Sequence, residues 1–128
     1  MKLVRWFLRI GGAVFLVFGL LYAVSPETLT DPSGFGPLAP EALTDLRATY
    51  GGLQLGIGAF LIWAAYDAAR HHAGLMLLAV TISAVAASRA FGLIVDGEAT
   101  AGMVGALTFE VALSVAALIL LRKASSDC

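Results

Sequence analysis

Charge is scarce in this chain. Charged residues make up 13% of its 128 residues and hydrophobic residues 59%, whereas a soluble domain is about 25% charged and about 45–50% apolar. A water-soluble fold this small leaves much of its chain exposed and has no interior large enough for so much apolar surface. The net charge of −1 supplies no basic field for nucleic acid, so nucleic acid is not expected among the partners. Cysteine is limited to Cys128, which excludes an internal disulfide and a cysteine metal cluster. Cys128 also lies on a polar tail and not at the fourth position from the end that C-terminal prenylation requires. The two histidines, His71 and His72, are adjacent. Neighbouring residues on a helix end point apart, and no third ligand lies close in sequence, so they read as a solvated turn, and neither a metal nor a cofactor is expected. A phosphate-binding glycine loop, a nucleophile elbow and a histidine–carboxylate–nucleophile set at one depth are all missing.

What is present is four long apolar blocks, from about Leu3 to Val24, Leu43 to Tyr66, Ala73 to Val95 and Ala101 to Leu121. Each is near the roughly 20 residues needed to span about 30 Å of hydrocarbon as a helix. Backbone polar groups in lipid must be bonded within their own segment, so each block is predicted to be a helix. The punctuation agrees. Ser25-Pro26 closes the first block, and Pro40-Glu41 suits the first turn of the second helix, where a missing N–H does no harm. Asp67 to His72 and Asp96-Gly97-Glu98 are short polar turns. Helices are therefore expected over about 3–24, 41–66, 73–95 and 101–121, with one longer loop over about 25–40. In that loop Asp31-Pro32-Ser33-Gly34 reads as a turn, and Phe35 and Leu38 let it lie on the membrane surface. The expected fold is all-α, a single four-span domain forming a four-helix transmembrane bundle, up-down-up-down, built from two helical hairpins.

Lys2 and Arg5 before an apolar run resemble a signal peptide, and Ala23 and Ser25 resemble its cleavage site. Pro26 directly behind them obstructs the peptidase, so the first helix is expected to be an uncleaved anchor. Lys2, Arg5, Arg9, Arg70, Arg122 and Lys123 fall on one side of a four-span arrangement, and Glu27, Asp31, Glu41, Asp45, Asp96 and Glu98 on the other. Positive residues in short loops stay inside. Both termini are therefore expected in the cytoplasm, with the long loop and the Asp96 turn facing outward. Trp6, Tyr22, Trp63 and Tyr66 sit near block ends, where amphipathic rings prefer the interface.

Three charges fall within the spans: Arg47, Arg89 and Glu110. Such groups are costly in hydrocarbon and face the interior of a bundle or a watery cavity. Counted from the outer ends, Arg47 and Arg89 lie about 6–9 Å deep and Glu110 about 15 Å deep. Helical side chains lean toward their own N-terminus, so Arg89, on an outward-running helix, and Glu110, on an inward-running one, lean toward each other. An Arg89–Glu110 ion pair is expected. It serves either as a structural lock or as part of a ligand or proton site. Arg47 leans toward the outer surface, where it either snorkels or meets an anionic group. Arg47, Gly51, Gln54 and Gly58 share a stripe at steps of four, three and four. Gly52 and Gly56 flank Gln54 as a small-xxx-small pair for close packing within the chain or between copies. Ala86, Arg89, Gly92 and Asp96 form a stripe on the third helix, and Ala106, Glu110, Ser114 and Ala117 on the fourth. The candidate ligand-binding residues are Arg47, Tyr50, Gln54, Arg89 and Glu110, although the default reading of Gln54 is an interhelical hydrogen bond and that of Tyr50 an interior one. The candidate packing residues are Gly51, Gly52, Gly56, Gly58 and Gly92.

The run Arg47-Ala48-Thr49-Tyr50-Gly51-Gly52-Leu53-Gln54-Leu55-Gly56-Ile57-Gly58, the run Arg89-Ala90-Phe91-Gly92-Leu93-Ile94-Val95-Asp96-Gly97, and Glu110 in the last span resemble a family of small bacterial four-helix membrane proteins classed as a domain of unknown function. The likeness covers nearly the whole chain and implies topology, not chemistry. More distantly, the architecture looks like small four-span proteins of the DoxX type. Two arginines, one carboxylate, an amide and some hydroxyls can bind and orient, but they make a poor acid–base set at neutral pH. The expectation is a non-enzymatic binding or accessory protein of a bacterial inner membrane, with an outward-opening pocket for a lipid-like or anionic molecule or a partner segment. Its partners would be membrane lipid and a homo-oligomer or larger membrane protein. A proton-coupled carrier acting as a homodimer, with Glu110 as the proton-binding carboxylate, is the alternative.

Overall fold

A computed structural model describes residues 2–30, 34, 36–97 and 99–126. Asp31, Pro32, Ser33, Phe35, Glu98 and Cys128, and with them the turn expected at 31–34, lie outside the described residues. The described chain is helical throughout its ordered elements and contains no strand. The helices are α1 (Lys2–Val24), the short α2 (Glu27–Thr30), α3 (Pro40–Ala65), α4 (His71–Asp96) and α5 (Ala101–Ser126). Four of them are long and apolar enough to cross a membrane. Only 17–28% of each apolar window is buried within the protein, leaving far more apolar side chain exposed than water tolerates but what lipid requires.

Local chemistry sets the helix ends. α1 stops at Val24, two residues before Pro26, with the Ser25 amide donating to the Leu21 carbonyl at 2.8 Å. Pro40 opens α3, and Ala39 before it is extended at φ −65°, ψ 153°, as a residue preceding proline prefers. Gly97 ends α4 in the left-handed region at φ 72°, where a side chain would be strained. Thr100 caps α5, its hydroxyl accepting from the Met103 amide at 3.3 Å and its carbonyl from the Val104 amide at 3.1 Å.

The structure departs from the expected boundaries in three places. A four-residue helix, α2, interrupts the long loop; it is too short to carry a periodic signal. α5 runs on through Arg122 and Lys123 to Ser126, where cations suit the negative end of a helix. The polar turn between α3 and α4 shrinks to the single turn Ala68–Arg70. His71 therefore starts α4 and is buried, on a stripe with Gly74, Leu75, Leu78, Ala79, Ile82 and Ala86. The spacing of that stripe is helical, and it draws His71 out of the solvated turn in which it was expected. His72 is exposed.

The chain forms two compact units, Met1–Ala68 and Ala69–Cys128, each containing one hairpin of long helices. In the first, α1 lies along α3 with glycines at the closest approach. A Cβ on Gly58 would fall 2.8 Å from the Gly12 carbonyl oxygen, and one on Gly51 would fall 2.9 Å from the Ala23 amide nitrogen. A Cβ on Gly19 would fall 2.8 Å from the Leu55 amide nitrogen. At the other end, the Arg9 guanidinium lies over the rings of Trp6 and Tyr66, 5.5 and 5.2 Å from their centroids, joining the start of α1 to the end of α3 by cation–π attraction.

One turn of α3 is not α-helical. From Arg47 to Gly52 it is a π-turn, in which the amide of Leu53 reaches back five residues to the carbonyl of Ala48. The wider turn accommodates one extra residue, which rotates everything before it by about 100° relative to a regular helix. The residue above Gly51 is then Leu46, which is half-buried, while Arg47 is exposed. Arg47 therefore leaves the stripe on which regular helical spacing would place it.

In the second unit α4 runs along α5. Ser83 and Ser114 share a hydrogen bond across the hairpin, and Ala86 and Ala117 are buried.

Candidate functional site

Arg89 and Glu110 meet. The Arg89 Nε donates to both carboxylate oxygens of Glu110, at 3.1 and 2.9 Å, and its Nη2 donates to Oε1 at 2.7 Å. This is a fork-on-carboxylate geometry, which adds direction to charge attraction. The Glu110 side chain is 11% exposed and that of Arg89 35%. The opposing lean of the two side chains that their helix directions dictate is what closes the gap in depth between them.

Beside this pair is an open cleft of about 450 Å³ lined by Arg89, Gly92, Leu93, Asp96 and Met103. All five belong to the hairpin of α4 and α5. Arg89, Gly92, Leu93 and Asp96 recur at helical spacing on α4, and Met103 comes from the first turn of α5. Gly92 leaves room: a Cβ there would find only the Asp96 carboxylate, at 3.6 Å. The cleft thus has a polar wall, from Arg89 and Asp96, and an apolar wall, from Leu93 and Met103. Asp96 is exposed and has no hydrogen bond or ion pair among the described residues.

The other three candidate ligand residues belong to the first unit. Arg47 is exposed, on the π-turn. Tyr50 is 46% exposed and stacks on Tyr22, with ring centroids 5.2 Å apart. Gln54 is half-buried, and its amide has no hydrogen bond among the described residues. Of the candidate packing residues, Gly51 and Gly58 lie against α1, whereas Gly52 and Gly56 point away from it. No atom beyond the helix's own backbone comes within 4 Å of a Cβ at either of the latter two. Gly92 opens the cleft and packs no helix.

Leu93, Met103 and Ser83 were not singled out from sequence. Ser83 was within reach, because it extends the stripe of Ala86 and Arg89 by one further turn. Met103 was not, because an isolated methionine in an apolar helix looks the same whether it lines a cleft or faces lipid.

Four long helices with mostly exposed apolar faces, and a charged pair held between two of them, define a multi-pass integral membrane protein. Residues 3–121 match the family described as DUF4345, a domain of unknown function, and the chain belongs to that family. No curated protein and no solved structure matches it. The more distant DoxX-type likeness rests on architecture alone.

Proposed function

We propose that this is a non-enzymatic binding or accessory protein of a bacterial inner membrane, with both termini cytoplasmic and the Asp96 end of the second hairpin facing outward. The orientation rests on Lys2, Arg5, Arg9, Arg70, Arg122 and Lys123 sharing one side. The activity rests on one observation: the cleft at Arg89 and Asp96 places charge beside Leu93 and Met103, a combination suited to a molecule with a polar head and an apolar body. In this reading Glu110 positions Arg89 and touches no ligand. Arg47 serves separately as a snorkelling contact for phosphate on the first hairpin, with Tyr50 beside it. Native mass spectrometry from mild detergent tests the proposal. A retained lipid-sized adduct that is lost on Gly92→Leu, which fills the cleft, is the expected result; a bare chain at low activation energy counts against it. The carrier alternative gains no observation of its own, because both oxygens of Glu110 are already engaged by one guanidinium.

A further inference from the structure

The charges around the cleft are unequal. Between His71 and Leu121 the sequence carries one cation, Arg89, and three carboxylates, Asp96, Glu98 and Glu110. Arg89 and Glu110 match each other through three hydrogen bonds, so that pair contributes little net field to the cleft. What remains on the wall is Asp96, and it stands at an unusual place. It is the last residue of α4, and no basic residue accompanies it in the final turn. The end of a helix already carries partial negative charge on its unpaired carbonyls, and a carboxylate there adds to the field instead of opposing it. Gly92, one turn earlier, leaves the approach to the Asp96 carboxylate open. An anionic head entering this cleft would meet a paired guanidinium on one side and an unpaired carboxylate and helix end on the other.

Building on the lipid-like occupant proposed above, we infer that the cleft selects an amphiphile whose head carries a primary ammonium group. The ammonium donates to the Asp96 carboxylate and to carbonyls at the end of α4. The apolar part of the molecule lies along Leu93 and Met103. Arg89, fixed by Glu110, faces the more electronegative part of the same head. A zwitterionic aminophospholipid satisfies all three contacts, with its phosphate toward Arg89 and its ammonium toward Asp96.

The test uses the full chain in mild detergent, with phosphatidylethanolamine, phosphatidylcholine and phosphatidylglycerol of equal acyl composition titrated separately and retention read by native mass spectrometry. The expected order places phosphatidylethanolamine first. Asp96→Asn should lower its retention about tenfold, the worth of a hydrogen bond to a charged group, without lowering that of phosphatidylglycerol. Asp96 is exposed at a helix end, so this isosteric change does not threaten folding. Phosphatidylglycerol retained as well as phosphatidylethanolamine, or an Asp96→Asn protein with unaltered preference, overturns the inference about the head and leaves the cleft itself standing. Retention of every lipid unaffected by Gly92→Leu overturns the cleft as the site.

Discussion

Replacing Glu110 with Leu leaves the Arg89 guanidinium without its carboxylate in apolar surroundings. Removing one partner of a fully buried ion pair costs about 3–5 kcal/mol. Arg89 is about one third exposed and has a long side chain. It can swing its head toward the interface, so the expected loss for Glu110→Leu is smaller, about 2 kcal/mol. Arg89→Met is the harsher change, at about 3–4 kcal/mol, because the shorter glutamate is nearly buried and has no route to water. The double variant removes both charges and should be more stable than Arg89→Met alone, which requires a coupling energy larger than the loss of about 2 kcal/mol for Glu110→Leu. Reversible unfolding in mixed micelles, followed by helical circular dichroism, measures all four corners of this cycle. Losses that add to within about 0.5 kcal/mol would show the two side chains to be independent and would refute the pairing as a stabilising contact.

The glycines divide in the same assay. Gly58→Ala forces a Cβ against the Gly12 carbonyl and the Leu16 amide and should cost about 1–3 kcal/mol, whereas Gly56→Ala meets no atom and should gain a few tenths of a kcal/mol from helix propensity; equal effects would refute the α1–α3 contact. Both ring nitrogens of His71 are buried without a partner among the described residues, so His71→Leu should not lower stability, and a loss above about 1 kcal/mol would reveal a hydrogen bond that the arrangement does not contain. In a Cys128→Ser background, an impermeant maleimide should label Ala39→Cys on intact cells and Ala69→Cys only after permeabilisation; the reverse pattern would invert the proposed orientation.

The four spans were legible because lipid imposes a length and a composition that few other environments demand, and the proline and glycine punctuation then located their ends to within a few residues. The Arg89–Glu110 contact was legible for a different reason: two helix directions and the N-terminal lean of side chains suffice to decide whether two residues approach. Arg47 shows where that reasoning fails. Its placement assumed unbroken helical spacing through Gly51 and Gly58, and neither the residues from Arg47 to Gly52 nor their hydropathy signal a widened turn. His71 failed through a boundary error of two residues, enough to turn a solvated residue into a buried one. The second glycine pair, Gly52 and Gly56, shows that small residues at four-residue spacing identify a smooth helix face but not the neighbour it faces.

The π-turn has a consequence for how α3 can vary. Elsewhere in a membrane span, losing one residue swings all preceding side chains out of register with the partner helix. Between Arg47 and Gly52 the surplus residue is already present, so deleting Thr49 would turn the backbone into ordinary α-helix and leave Leu46 above Gly51, now at regular four-residue spacing. A single codon's loss there would be absorbed within one turn, with the start of α3 and everything from Leu53 onward keeping the faces they now present.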